Sequence, residues 1–274
     1  MTILQQIVSE TRARLAGKTN PAYRAELEKM AAAHIPRGFR KRLLGAAARS
    51  GPAVIAELKK ASPSKGVIRA DFQVVELARA MEQAGASALS VLTEEKHFQG
   101  SLENLRAASA NVSIPCLRKD FIVDELQMLE ARAYGADAVL LIVAALDNSE
   151  LKQLCRAARA LRLDVLCEVH DEHELQLAVD ASFDIIGVNN RDLRTFQVTL
   201  ETSLRLNAKI PANALRVAES GIHTGADISR LRSSGYQAFL IGESLMKEND
   251  PGAALSKLLA DAEREERRAE VASR

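Results

Sequence analysis

The chain contains no tryptophan, and aromatic residues make up only 4% of its 274 positions. A core with so few large rings has to be built from Ala, Leu, Val and Ile. The 47% of hydrophobic residues suits helices packed on a parallel sheet. Cysteine is scarce as well. Cys116, Cys155 and Cys167 form no CxxC pair and are odd in number, which argues against a disulfide framework, and Cys116 and Cys167 lie inside apolar runs as core thiols would. Nor is there an excess of one charge: 37 Lys and Arg stand against 36 Asp and Glu, with no basic stripe interleaved with aromatics, so nucleic acid is not an expected partner. No run approaches the roughly 18 apolar residues of a membrane span, and the N-terminal "MTILQQIVSETRARL" lacks the apolar centre of a signal peptide. These absences lead to the expectation of a cytoplasmic protein that engages neither nucleic acid nor membrane.

Several catalytic signatures are missing too. "KKASPSKG" after the first strand-like run is not a GxGxxG dinucleotide fingerprint, and there is neither a Walker loop nor a Ser/His/Asp set. His170 and His173 in "VHDEHEL" are flanked by acids at a helix start and read as exposed polar residues rather than metal ligands. His34, His97 and His223 stand apart from any ligand set. No metal is expected.

What is present is a rhythm. Residues 1–50 carry Ile3, Ile7 and Leu15 at helical spacing and a break at "GKTNPAY", enough for two or three helices. From Val54 onward, short apolar runs alternate with Ala-rich amphipathic stretches. The runs are "AVIAEL" from 53, "ALSVLT" from 88, "PCLRKD" from 115, "DAVLLIV" from 137, "DVLCEV" from 164, "DIIGVNN" from 184, "LRVAES" from 215 and "AFLIGES" from 238. Eight strands with a helix after each predict an α/β protein of the (β/α)8 TIM-barrel class, a single domain over 1–274 with an N-terminal helical extension over 1–50. The mixed-sign "DAEREERRAEVASR" reads as a solvated helix end and frayed tail, and too little chain follows the eighth run for a second fused barrel.

Charges inside strands covered on both sides are costly unless they sit at the mouth, where βα loops build active sites. Glu57 and Lys59 end the first run on one strand face, Lys119 the third, Glu168 the fifth, Asn189 and Arg191 the sixth, and Glu219 the seventh. Lysines and carboxylates gathered there can hold one another's charges and supply both proton donors and acceptors to a small polar substrate. "AESGI" and "LIGESL" after the last two runs place Gly221 and Gly242 where a helix should begin, the recurrent phosphate site of this fold. The Ser62 hydroxyl in "SPSKG", with Lys59 nearby, can close over the same phosphate.

The ordered set "IAELKKASPSKG", "LTEEKHFQGS", "RKDFIVDELQ", "GADAVLLI", "GVNNRDL", "VAESGI" and "FLIGESLM" resembles indole-3-glycerol phosphate synthase from about residue 50 to 250. The resemblance implies a carbon–carbon lyase of tryptophan biosynthesis that converts 1-(2-carboxyphenylamino)-1-deoxyribulose 5-phosphate into indole-3-glycerol phosphate, carbon dioxide and water without a cofactor. It also implies that the N-terminal extension caps the barrel mouth. In the roles it implies, Lys119 is the general acid of ring closure, Lys59 and Glu168 serve the dehydration, Glu57 orients the lysines, and Asn189 bonds substrate hydroxyls. Phe98, Phe121 and Leu140 wall the aromatic ring, Arg191 assists at the substrate carboxylate or in the local charge network, and Glu219 belongs to the substrate site. Ser62, Ser220, Gly221, Gly242 and Glu243 surround the phosphate, with the Glu243 carboxylate turned away from it. The partner implied is a small phosphosugar, acted on by a monomer or weak homo-oligomer with room for transient association with other tryptophan-pathway enzymes. Two rivals are a phosphoribosylanthranilate isomerase-like enzyme and a catalytically silent phosphate-ligand barrel. The first wants a Cys where Glu57 stands, and the second has no need of Lys59, Lys119 and Glu168 together.

Overall fold

A computed structural model describes residues 2–18, 20–49 and 51–272. Its eight barrel strands are β1 (Ala53–Leu58), β2 (Ala88–Leu92), β3 (Cys116–Lys119), β4 (Ala138–Ile142), β5 (Asp164–Val169), β6 (Ile185–Asn189), β7 (Leu215–Glu219) and β8 (Ala238–Ile241). All pair in parallel, and β1 closes the ring by pairing with both β8 (Ile55 opposite Leu240) and β2 (Ile55 opposite Ala88). Helices α1 (Ile3–Ala16), α2 (Pro21–Ala33) and α3 (Phe39–Arg49) precede the barrel. Around it run α4 (Val74–Gln83), α5 (Leu102–Asn111), α6 (Glu125–Ala133), α7 (Asn148–Ala160), α8 (Glu172–Asp180), α9 (Glu201–Asn207) and α10 (Gly225–Ser233), then the single turn α11 (Glu243–Met246) and the long α12 (Pro251–Ala272). Among the described residues no helix is long and apolar enough to cross a membrane.

The two-residue period of the strands separates two apolar layers. Val54, Ala56, Leu89, Val91, Val139 and Leu141 pack outward under the helices. Ile55, Leu117, Leu140, Leu166, Ile185, Val217 and Leu240 fill the barrel interior together with Phe39 and Leu43 of α3. The last two residues show that the extension does not lie at the mouth as a whole. α3 closes the opposite, N-terminal end: the Arg40 backbone N–H donates to Asp164 Oδ2 at 2.9 Å, and the Arg40 guanidinium reaches the carbonyls of Asp184 and Asn213. Its apolar Phe39 and Leu43 have a hydrophobic hole to fill there, whereas the mouth is lined with charge. α2 lies outside the barrel, its Leu27 and Ala31 against Leu129 and Ala133 of α6. Of these three helices it is α1 that lies over the mouth, with Ile3, Leu4 and Ile7 beside Lys59 and Phe98.

The C-terminal helix also departs from expectation. Arg232 of α10 pairs with Glu266, and Ala262 is buried, so α12 is packed well into the stretch read as solvated. Ser273 and Arg274, where the expected frayed tail ends, lie outside the described residues.

Candidate active site

The interior stripe of each strand changes character along its length. Ala53 and Ile55 are apolar, and the next residues of the same parity in β1 and just beyond it are Glu57 and Lys59. The same step takes Leu117 to Lys119, Leu166 to Glu168, Ile185 through Gly187 to Asn189, and Val217 to Glu219. The parallel register brings these ends together, with Asn189 opposite Glu219. They line one cavity of about 480 Å³, which also takes in Phe98, Phe121, Leu140, Arg191, Ser220, Gly221, Gly242 and Glu243. Every candidate residue read from the sequence lines it except Ser62.

Lys119 is the centre of the charge cluster. Its Nζ donates to Glu168 Oε2 at 2.8 Å and lies 3.5 Å from Glu219 Oε2. Burial works against its charge, but the carboxylates of Glu168, Glu219 and Glu57 outweigh it and hold the ammonium protonated. Glu168 is likewise held ionised against burial, by Lys119 and His170. Glu219 goes the other way. Burial above all, with the neighbouring Glu168 and Glu57 carboxylates adding to it, outweighs the opposing Lys119 cation, and it is pushed up to about 8. The cavity thus places a cation between one ionised carboxylate and one that holds a proton near neutrality. Lys59 Nζ pairs with Glu57 Oε1 at 2.6 Å beside them, and Asn189 Nδ2 donates to Glu168 Oε1 at 3.2 Å.

Beyond the charges lies a polar turn. Ser220 and Gly221 both have positive φ, 64° and 77°, so the chain reverses sharply after β7. Such a conformation strains serine and suits glycine, and strain of this kind collects at ligand sites. Gly242, which precedes α11, could not carry a side chain, because a Cβ there would stand 2.7 Å from Cβ of Glu57. Glu243 turns to cations, its Oε2 3.3 Å from Arg191 and its Oε1 2.6 Å from Lys247. Phe98 and Phe121 stand with ring centroids 6.1 Å apart.

Ser62 lies apart because "SPSKG" folds as a hairpin, with Ala61–Ser62 paired to Gly66–Val67. Its hydroxyl is buried without a hydrogen-bond partner among the described residues. It lines a smaller adjoining cavity of about 110 Å³ with Lys59, Phe98, Phe121, Arg191 and Glu243, beneath Ile3, Leu4 and Ile7 of α1. α1 is held there by Glu10, which takes Lys96 at 2.6 Å and His97 at 3.0 Å, and by Arg12, 2.8 Å from Glu150.

Two groups were not anticipated. Leu193, Phe196 and Val198 in the loop after β6 line the main cavity, where the sequence pattern points to Arg191 alone. His170 is not exposed as expected but tucked between Glu168 and Glu174, while His173 is exposed. The signal was available in principle, since His170 has the parity of Glu168 and stands one residue beyond β5.

A family model described as indole-3-glycerol phosphate synthase matches residues 4–258. The chain is 60% identical over 256 residues to the indole-3-glycerol phosphate synthase of Koribacter versatilis, covering 93% of this chain and 98% of that one. It is 46% identical over 263 residues to the protein of the same name from Polaromonas naphthalenivorans, covering 94% and 99%. Among solved structures, KGPDC from Streptococcus mutans superposes with a TM-score of 0.61 at 11% identity, covering 78% of this chain and 98% of that one, a likeness of fold alone. The match of nearly the whole sequence, with the charged strand ends gathered in one cavity, establishes that the chain belongs to the indole-3-glycerol phosphate synthase family.

Proposed function

We propose that the cavity at the C-terminal strand ends performs the family's decarboxylating ring closure of 1-(2-carboxyphenylamino)-1-deoxyribulose 5-phosphate, with Lys119 as the general acid of the first step. The observation that carries this reading is the position of Lys119, 2.8 Å from an ionised Glu168 and 3.5 Å from Glu219. A charged, desolvated ammonium can polarise the ribulose C2′ carbonyl and protonate its oxygen as the aromatic ring carbon attacks. The new carbon–carbon bond leaves that ring carbon without aromaticity. Breaking its bond to the carboxylate returns the electron pair to the ring, so carbon dioxide leaves with no external electron sink. Water is then lost. The new hydroxyl departs with a proton from Lys59, and Glu168 takes the proton of the neighbouring carbon.

The remaining roles follow the chemistry of each group. Glu57 balances Lys59, and Asn189 orients Glu168 and reaches the substrate hydroxyls. Phe98, Phe121 and Leu140 offer the aromatic ring an apolar wall. Arg191 serves the substrate carboxylate, and Glu219 belongs to the substrate site. Ser220, Gly221, Gly242 and the backbone of Glu243 receive the phosphate, with Ser62 approaching from the adjoining cavity beneath α1. The protein would act in the cytoplasm on a diffusible phosphosugar, as a monomer or weak homo-oligomer with transient contacts to other tryptophan-pathway enzymes. The residues before β1 would belong to one barrel domain, with α1 serving as its mouth cover.

The test incubates the purified protein with that substrate, without added metal or cofactor, and follows the fluorescence of indole-3-glycerol phosphate. Product should accumulate with release of carbon dioxide. No product, or product only after a metal is added, would sink the proposal.

A further inference from the structure

We propose that His170 is a positioning residue for Glu168: seated between two carboxylates, it supports one edge of the catalytic base as an imidazolium while Glu174 fixes the ring from behind. This inference rests on the reading of Glu168 as a catalytic carboxylate.

The geometry divides the two oxygens of Glu168 between different partners. Oε2 takes Lys119 at 2.8 Å, while Oε1 faces Asn189 Nδ2 at 3.2 Å and His170 Nε2 at 3.3 Å. The other ring nitrogen of His170, Nδ1, is 3.0 Å from Glu174 Oε2, which also accepts the His170 backbone N–H at 2.8 Å. Glu174 is itself fixed, because its own N–H donates to Asp171 Oδ1 at the cap of α8. An imidazole hydrogen-bonded to one carboxylate at Nδ1 and held within ion-pair distance of a second at Nε2 is favoured as the protonated ring. Burial opposes that charge, yet the carboxylates of Glu168 and Glu174 prevail and hold the ring at about 10. The charged and titratable groups around the pair are Lys119 on β3, Glu219 on β7 and Glu57 on β1. Cys167 sits on β5 itself, and Arg194 in the loop after β6 acts on Glu174 from outside.

The arrangement matters at the moment of reaction. When Lys119 turns to the substrate carbonyl it must loosen its hold on Glu168. A carboxylate only 2% exposed, left without a cation, would take up a proton and cease to be a base. His170 touches the edge of Glu168 that Lys119 does not use, so its support survives that step.

His170→Asn should lower kcat by about tenfold with KM changed less than about twofold, and should move the acid limb of the kcat–pH profile upward by about one unit. His170→Gln, which keeps a donor but not the charge, should show the same pH displacement. Independently of activity, nitrogen NMR of the wild-type protein at pH 8 should find both ring nitrogens of His170 protonated. A neutral ring at pH 8, or a loss of thermal stability with an unmoved pH profile, would overturn the proposal. Glu168→Gln separates the two levels. Near-normal turnover there would defeat the base role and this inference with it, whereas an inactive Glu168→Gln beside an unmoved His170→Asn profile would defeat this inference alone.

Discussion

At the floor of the barrel the fully buried Asp137 accepts the Arg37 backbone N–H at 2.6 Å, the Arg37 guanidinium at 2.6 and 2.9 Å, and the Cys116 N–H at 2.6 Å. At the mouth Glu219 is as deeply buried, yet it has only Lys119 at 3.5 Å on Oε2 and no hydrogen-bond partner among the described residues on Oε1. The same chemical group is therefore treated in opposite ways. Despite its burial, Asp137 is held below the ordinary carboxylate range by His34 and Arg37, whereas Glu219 is pushed up to about 8. A saturated carboxylate locks the segment before α3 to the barrel. The less saturated one stands next to the strained turn at Ser220 and faces the cavity at the strand ends.

The contrast should be widest in turnover. Lys119→Ala at the mouth is expected to lose about a thousandfold in kcat while still binding a phosphate-bearing product analogue, and near-normal turnover would remove it from the general-acid role. Asp137→Ala at the floor should do the reverse. Leaving the half-buried Arg37 guanidinium without its carboxylate, and the buried Cys116 N–H without an acceptor, should cost about 3 kcal/mol in a urea melt, with kcat per folded molecule unchanged. If that substitution were stability-neutral, the floor network would not be the lock described here.

A third comparison uses pH. The folded Asp137 carboxyl titrates below its unfolded value, so its stabilisation is present above the ordinary carboxylate range and is lost as pH falls through it. Glu219 carries the opposite sign. The native state keeps a proton there that the unfolded chain releases, so stability should fall as pH rises from the ordinary carboxylate range to about 8. Glu219→Gln should flatten that part of the profile, measured as urea midpoints between pH 5 and pH 9. An unchanged slope would mean that Glu219 is already ionised.

Why the mouth was legible in the sequence and the floor was not follows from the same geometry. A two-residue period with apolar residues at 53 and 55 and charges at 57 and 59 fixes both the face and the end of β1 at which charge appears, and the rule repeats on the other charged strands. Nothing local announces that Phe39 and Leu43 plug the far end, because helical spacing says which face is apolar and not which surface covers it. Arg118 illustrates the limit of parity. Of opposite face to Lys119, it lies buried under α6, held by Asp120 at 2.8 Å and Glu130 at 3.2 Å, and Glu130 in turn binds Lys18 and Tyr23 of the extension. That network depends on residues far apart in the chain. His170 escapes the sequence for a related reason, since acids around a histidine at a helix start look solvated until the adjoining strand end turns the ring toward Glu168.

The smallest effect should come from the neighbour of a residue with a large one. Lys59 lines both cavities and pairs with Glu57 at 2.6 Å, so Lys59→Ala is expected to lower kcat by about a hundredfold. Lys60 lines neither cavity and contributes its backbone carbonyl, which accepts from Ile68 at 2.8 Å and Arg69 at 3.1 Å to anchor the hairpin carrying Ser62. Alanine keeps that carbonyl. Lys60→Ala should therefore leave kcat and KM within about twofold and shift stability by no more than about 0.5 kcal/mol. Because the two lysines are adjacent and identical in charge, net charge and solubility cannot account for a difference between them. A comparable loss from both substitutions would mean that the loop after β1 acts through its overall positive charge, and that the parity separating mouth from wall does not extend beyond the last paired residue of the strand.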